Sequence, residues 1–169
     1  MTVADAEFSH VVVLADLPRG GASFRLAANE EERARITKRL DVVAVKHIEG
    51  AVKIRANRAE IFLTGTLLAS LTRECVASLD EMAEDIAEDF ELVFLRGDAT
   101  PAEGDEEAAL PDIHEGAEFD IGDFLVQQLS LAMDPFPRKD GVTSLAEQYG
   151  QDEEKTAFAA ALGEAKKIE

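Results

Sequence analysis

The residues of this chain that could do chemistry are three histidines, one cysteine, a crowd of carboxylates and a short run of bases beside an aromatic. His10, His47 and His114 stand far apart, and none has a second ligand at metal spacing. Tetrahedral zinc takes about four N or S donors, which a lone Cys75 and scattered histidines do not supply. Cys75 and His47 would fall on neighbouring strands, yet a pairing of residues 54 and 63 sets His47 opposite residue 70, out of reach of a thiol at 75. Seven acids lie between Asp80 and Glu91. Gathered in a cleft, such carboxylates would hold a divalent ion or run acid/base chemistry. Here they alternate with apolar residues, which places them on a solvated strand face, and the metal-dependent enzyme ranks as the third reading. Asp105, Glu106 and Glu107 lack the alternate-position oxygens and central glycine of a calcium loop. Gly20-Gly21 reads as a turn, and no phosphate loop, nucleophile elbow, dinucleotide fingerprint or His-Glu-x-x-His is present. No cofactor and no small-molecule substrate is therefore expected.

The bases offer a different chemistry. Lys53 and Arg55, with Arg58, Arg73 and Lys46, form a basic stripe, and Phe62 and Thr64 fall across from Arg55 and Lys53. Bases beside an aromatic on a strand face hold single-stranded RNA by charge and stacking. The competing reading is an ordinary polar sheet face whose lysines and glutamates pair across strands.

The elements that must position these residues centre on residues 43–75. From Ile61 to Leu71 every second residue is apolar or small, and Val52, Ile54 and Ala56 alternate with Lys53 and Arg55. A period of two is the mark of a half-buried strand, and Asn57-Arg58 supplies a turn, so the stretch predicts a long β-hairpin with one apolar side. A hairpin alone is marginal in water and needs a cover. That cover is predicted from Ile121, Phe124, Leu125, Leu129, Ala132 and Met133, at helical spacing between a capping Asp120 or Asp123 and Pro135. Residues 8–15 and 22–28 read as short strands. Asn29 with Glu32 forms a capping box for a helix to Leu40. Met82 to Leu95 reads as a strand in its second half, where Phe90-Glu91-Leu92-Val93-Phe94 alternates, while helix and strand compete before it. The fold class is α+β: an antiparallel sheet built on the hairpin, covered by an amphipathic helix. Residues 97–118, rich in Gly, Pro and acid, predict a flexible acidic loop. Residues 1–135 make one domain and 136–169 a helical C-terminal tail.

Charge divides the chain in two. Residues 1–74 carry 11 Lys and Arg against 10 acids, and residues 75–169 carry 6 against 25, so a balanced half precedes one of net −19. A field of that sign repels phosphate backbones and draws basic proteins. The acids Asp105, Glu106, Glu107, Asp112, Glu115 and Glu118 are the candidate residues for such a partner. With a single cysteine, no leader pattern and no apolar run near the ~18 residues of a span, a reducing, cytoplasmic setting is expected.

The order of segments resembles the YceD family, the large ribosomal RNA subunit accumulation proteins. The resemblance rests on the strand Gly65-Thr66-Leu67-Leu68-Ala69-Ser70-Leu71-Thr72-Arg73-Glu74-Cys75, the run Phe90 to Phe94 and the acidic stretch after it. It continues through Phe119-Asp120-Ile121-Gly122-Asp123, then Gln127 to Pro135, and Phe158-Ala159-Ala160-Ala161-Leu162. It implies a bacterial, non-enzymatic accessory role in the synthesis, processing or stability of 23S ribosomal RNA and in ribosome assembly. Within that role the first reading is an adaptor whose acidic half holds a basic ribosomal or assembly protein, with ribosomal RNA reached through it, and direct contact of single-stranded RNA by the basic stripe is the second. Where many members carry Cys-x-x-Cys-Leu, this chain has Cys75-Val76-Ala77-Ser78-Leu79, so no zinc is expected.

Overall fold

The computed structural model describes residues 8–97 and 112–141. Strand β1 (Val11–Val13) leads through a single 3-10 turn to β2 (Ala22–Ala27), helix α1 (Glu30–Leu40), β3 (Ala44–Ala56), β4 (Glu60–Glu74) and β5 (Glu81–Arg96). Two short strands, β6 (Asp112–His114) and β7 (Glu118–Asp120), precede helix α2 (Ile121–Ala132). The main sheet has the order β2-β3-β4-β5-β6, and β1 with β7 makes a separate two-stranded ribbon. Compact units comprise Met1–Arg73 with Ala83–Pro135, and Glu74–Met82 with Phe136–Glu169.

The hairpin forms where the period of two requires it. Ile54 pairs with Leu63 and His47 with Ser70 in an antiparallel register, interrupted by one bulge at Lys46. The turn is tied by Asn57, whose Oδ1 accepts the N–H groups of Ala59 at 2.8 Å and Glu60 at 2.7 Å. That is an Asx turn, the reason Asn suits the position. Val52, Ile54, Ile61, Leu63, Leu67 and Leu71 are all fully buried on one side. On that side Leu125 of α2 seats over Gly50: a Cβ there would lie 2.6 Å from both Leu125 methyls. Phe90, Phe94 and Phe119 ring Phe124 of the same helix, with centroids 5.2 to 6.2 Å away.

Both helices start on side-chain caps. Asn29 accepts from the Glu32 N–H at 3.0 Å while Glu32 accepts from the Asn29 N–H at 2.7 Å, closing the capping box. Asp120 caps α2 through Gly122 and Asp123. Its carboxylate also takes the His10 N–H at 2.8 Å and the Ser9 hydroxyl at 2.5 Å, so one side chain fastens the start of the described chain to the start of α2.

Three expectations change. The stretch before Asp89, where helix and strand compete in the sequence, is strand from Glu81 onward, because β4 lies alongside and offers cross-strand partners: Ser70 donates to Asp85 at 2.6 Å and Arg73 to Glu84 at 2.7 Å. The span 97–118 is not loop throughout, since Asp112–His114 pairs with Phe94–Arg96 and Glu118 already belongs to β7. That pairing is parallel, so the sheet is mixed at this edge, the free side of β5 being satisfied by a strand returning in the same direction. His114 Nε2 donates to the Glu118 carbonyl at 2.8 Å, and its ring tilts against that of Phe119. The acidic residues 98–111 and the tail from residue 142 lie outside the described residues.

Candidate functional site

The sheet has a second face, and register decides what stands on it. Ser23, Lys53 and Thr64 lie in one row across β2, β3 and β4; Arg25, Ala51 and Thr66 form the next, and Ala27, Glu49 and Leu68 the third. Arg55 and Phe62 make a further pair towards the turn. Their parity is opposite to that of the buried Val52, Ile54 and Leu63, so all point away from α2. The middle of the face is low because Ala51, Thr64 and Thr66 are small, whereas Arg25, Lys53 and Arg55 stand up around them.

Adjoining depressions follow. One is lined by Arg25, Glu49, Ala51, Thr66 and Leu68, the next by Ser23, Arg25, Ala51, Lys53 and Thr64, and a third by Arg19, Gly20, Lys53, Arg55, Phe62, Thr64 and Glu91. Each shares residues with its neighbour, so together they form one open trough. From Glu49 to Arg55 along β3 it runs about 20 Å at the usual rise of a strand.

The electrostatics of the trough differ from those of the chain as a whole. Net charge is −18, yet among the described residues Arg19, Arg25, Lys53 and Arg55 form no ion pair with a carboxylate. Arg55 instead places its guanidinium 4.4 Å from the centroid of the ring of Phe62, its cross-strand neighbour, a cation–π contact. The cross-strand Lys–Glu pairing of an ordinary polar face is absent from these positions among the described residues. Glu49 turns to His47, 3.4 Å away, and Glu60 to Asn57.

Of the bases singled out in the sequence, Lys53, Arg55 and the aromatic Phe62 come together. Lys46 sits exposed at the bulge. Arg58, in the hairpin turn, shares a separate depression with Arg96, Gly97 and Gly116. Arg73 is committed elsewhere: Nη1 donates to Glu84 at 2.7 Å and to the Asp134 carbonyl at 2.6 Å, with both ion-pair partners largely shielded. Arg19 and Arg25 were not singled out. Arg25 carries a legible signal, since it alternates with Phe24 and Leu26, but only the register shows that it stands beside Ala51. Among the acids, Asp112, Glu115 and Glu118 are exposed, and Asp105, Glu106 and Glu107 lie outside the described residues.

Cys75, in the second unit, is held by short local bonds. Its N–H donates to the Asp80 carbonyl and its carbonyl accepts from Leu79, both at 2.9 Å, while the Lys139 N–H points at Sγ from 3.4 Å. The Ser78 hydroxyl and then the Lys139 N–H draw the thiol down from 9.0 to about 7, outweighing burial, which acts the other way. Among the described residues no three His, Cys, Asp or Glu side chains are grouped to hold a metal ion, and no helix is long and apolar enough to cross a membrane.

These features define an α+β protein with a mostly antiparallel, mixed sheet and, among the described residues, two α-helices. Residues 63–167, more than half of the chain, match the family model described as large ribosomal RNA subunit accumulation protein YceD, and the chain belongs to that family. No curated protein and no solved structure matches it. The matched stretch opens within β4, so it takes in Thr64 and Glu91 of the trough but begins after Lys53, Arg55 and Phe62.

Proposed function

We propose that this protein is a non-enzymatic accessory factor in the accumulation of large-subunit ribosomal RNA, and that it holds a single-stranded stretch of that RNA along the open trough of its sheet. The family supplies the pathway. The observation that carries the contact is a set of four cations without ion-pair partners among the described residues, Arg25, Lys53 and Arg55 on one strand face beside Phe62 and Arg19 in the adjoining loop, in a chain of strongly negative net charge. Strand faces of this kind grip RNA with cations on phosphates and a π-surface under a base. A duplex, whose bases are stacked inward, would meet only the charges. The test is fluorescence anisotropy of the full chain with an unstructured 23S-derived oligonucleotide. Lys53→Ala with Arg55→Ala should weaken binding at least tenfold, and absence of measurable RNA binding by the unsubstituted protein would remove the reading.

A second reading is favoured by the charge division of the chain. The acids of residues 75–169, among them Asp105, Glu106, Glu107, Asp112, Glu115 and Glu118, hold a basic ribosomal or assembly protein, making the chain an adaptor with one anionic flank. Such a partner should co-purify in a salt-sensitive way and be lost when the acids between residues 98 and 123 are neutralised.

A further inference from the structure

The end of the trough nearest the hairpin turn contains a group that RNA binding by charge alone does not require. Glu91, on β5, lines the same depression as Arg19, Lys53, Arg55 and Phe62, a space of about 370 Å³. It is exposed, and among the described residues it makes no ion pair or hydrogen bond. A carboxylate among phosphate-binding cations is unfavourable towards a backbone and has to be explained by something else that enters.

We infer that this depression is a nucleobase slot selective for guanine, an inference that rests on the RNA-binding reading above. An entering base stacks on the Arg55–Phe62 pair, while Lys53 and Arg19 meet the flanking phosphates. Glu91 then faces the base edge with two acceptor oxygens and no donor. Guanine presents two adjacent donors there, the N1–H and the N2 amino group, and accepts a carboxylate side-on. Uracil offers one donor between two carbonyls; adenine and cytosine each set their amino group beside a ring nitrogen lone pair. In all three, one carboxylate oxygen is driven against an acceptor. Five side chains thus divide the work: stacking by Arg55 and Phe62, backbone charge by Lys53 and Arg19, base identity by Glu91.

The test uses the full chain and a set of labelled oligouridylates bearing one central G, A, C or U. The slot predicts that the single-G strand binds about tenfold tighter than the other three, in line with what a bidentate contact discriminates. Glu91→Gln should abolish that preference while leaving oligouridylate binding equal or stronger, because it removes a negative charge from the trough. Equal affinity for all four strands overturns the slot and leaves the RNA reading standing. A guanine preference that survives Glu91→Gln also overturns it. If no strand binds, both fall together. Free GMP, run alongside, should bind far more weakly than the single-G strand; equal affinity would assign the depression to a mononucleotide and overturn the strand assignment.

Discussion

Charge and stacking make separable contributions in the trough, and salt tells them apart. Each phosphate neutralised on a single strand contributes about −0.7 to the slope of log affinity against log salt. With Arg19, Arg25, Lys53 and Arg55 all engaged, the slope is about −2.8, a loss of about fiftyfold between ~50 and ~200 mM salt. Replacing Arg25 and Lys53 by Ala removes two of the four cations and leaves Phe62 and its Arg55 partner in place. The slope should then fall to about −1.4, and the same salt step should cost only about sevenfold. Phe62→Ala is the opposite perturbation. It removes a stacking surface worth about 1–3 kcal/mol and no charge, so affinity drops at every salt concentration while the slope stays where it was. Anisotropy titrations of the three proteins over a salt series give both quantities. The reasoning is refuted if Arg25→Ala with Lys53→Ala leaves the slope unchanged, or if Phe62→Ala flattens it.

Three further outcomes follow from the fold. A Cβ at Gly65 would lie 2.2 Å from the Ala51 carbonyl and 2.9 Å from the Phe90 ring, so β3 and β4 must part locally; Gly65→Ala should lower stability by about 2–3 kcal/mol in denaturant unfolding. Gly20→Ala, with nothing within 4 Å, should fall within about 0.5 kcal/mol of the parent. The depressed Cys75 pKa, about 7 against 9.0, means that the folded state favours the thiolate. Its contribution to stability is therefore full above 9 and lost as pH falls through 7, and Ser78→Ala should move the midpoint of thiolate absorbance upward.

Some of this architecture is legible in the amino acids and some is not, for physical reasons. The β3–β4 register follows from strict alternation on both strands joined at Asn57, because a slip of one residue would turn every apolar side chain to water. The capping box of α1 is local and needs only Asn29 and Glu32. The start of β5 is ambiguous because Met82, Ile86 and Asp89 fit a helix as well, and only Ser70 and Arg73 on the neighbouring strand settle it. β6 and β7 have three residues each, too short to carry a period, and β6 owes its existence to the unpaired edge of β5. In the trough, Lys53, Arg55 and Phe62 are readable from the hairpin alone. Arg25 needs the β2–β3 register and Arg19 the path of a loop, neither of which local sequence encodes. Glu91 is one of seven acids whose alternation marks a solvated face, and only its place in the same depression as Lys53, Arg55 and Phe62 sets it apart.

The Asp120 carboxylate joins its own helix to His10 across a sequence separation of 110 residues. Contacts between such distant parts of a chain form late, after local hairpins and helices, since closing so large a ring costs entropy before it returns anything. This clasp accordingly governs how fast the native state comes apart more than how fast it is reached. Removing the carboxylate, as in Asp120→Ala, is therefore expected to show in the rate of unfolding more than in the rate of folding.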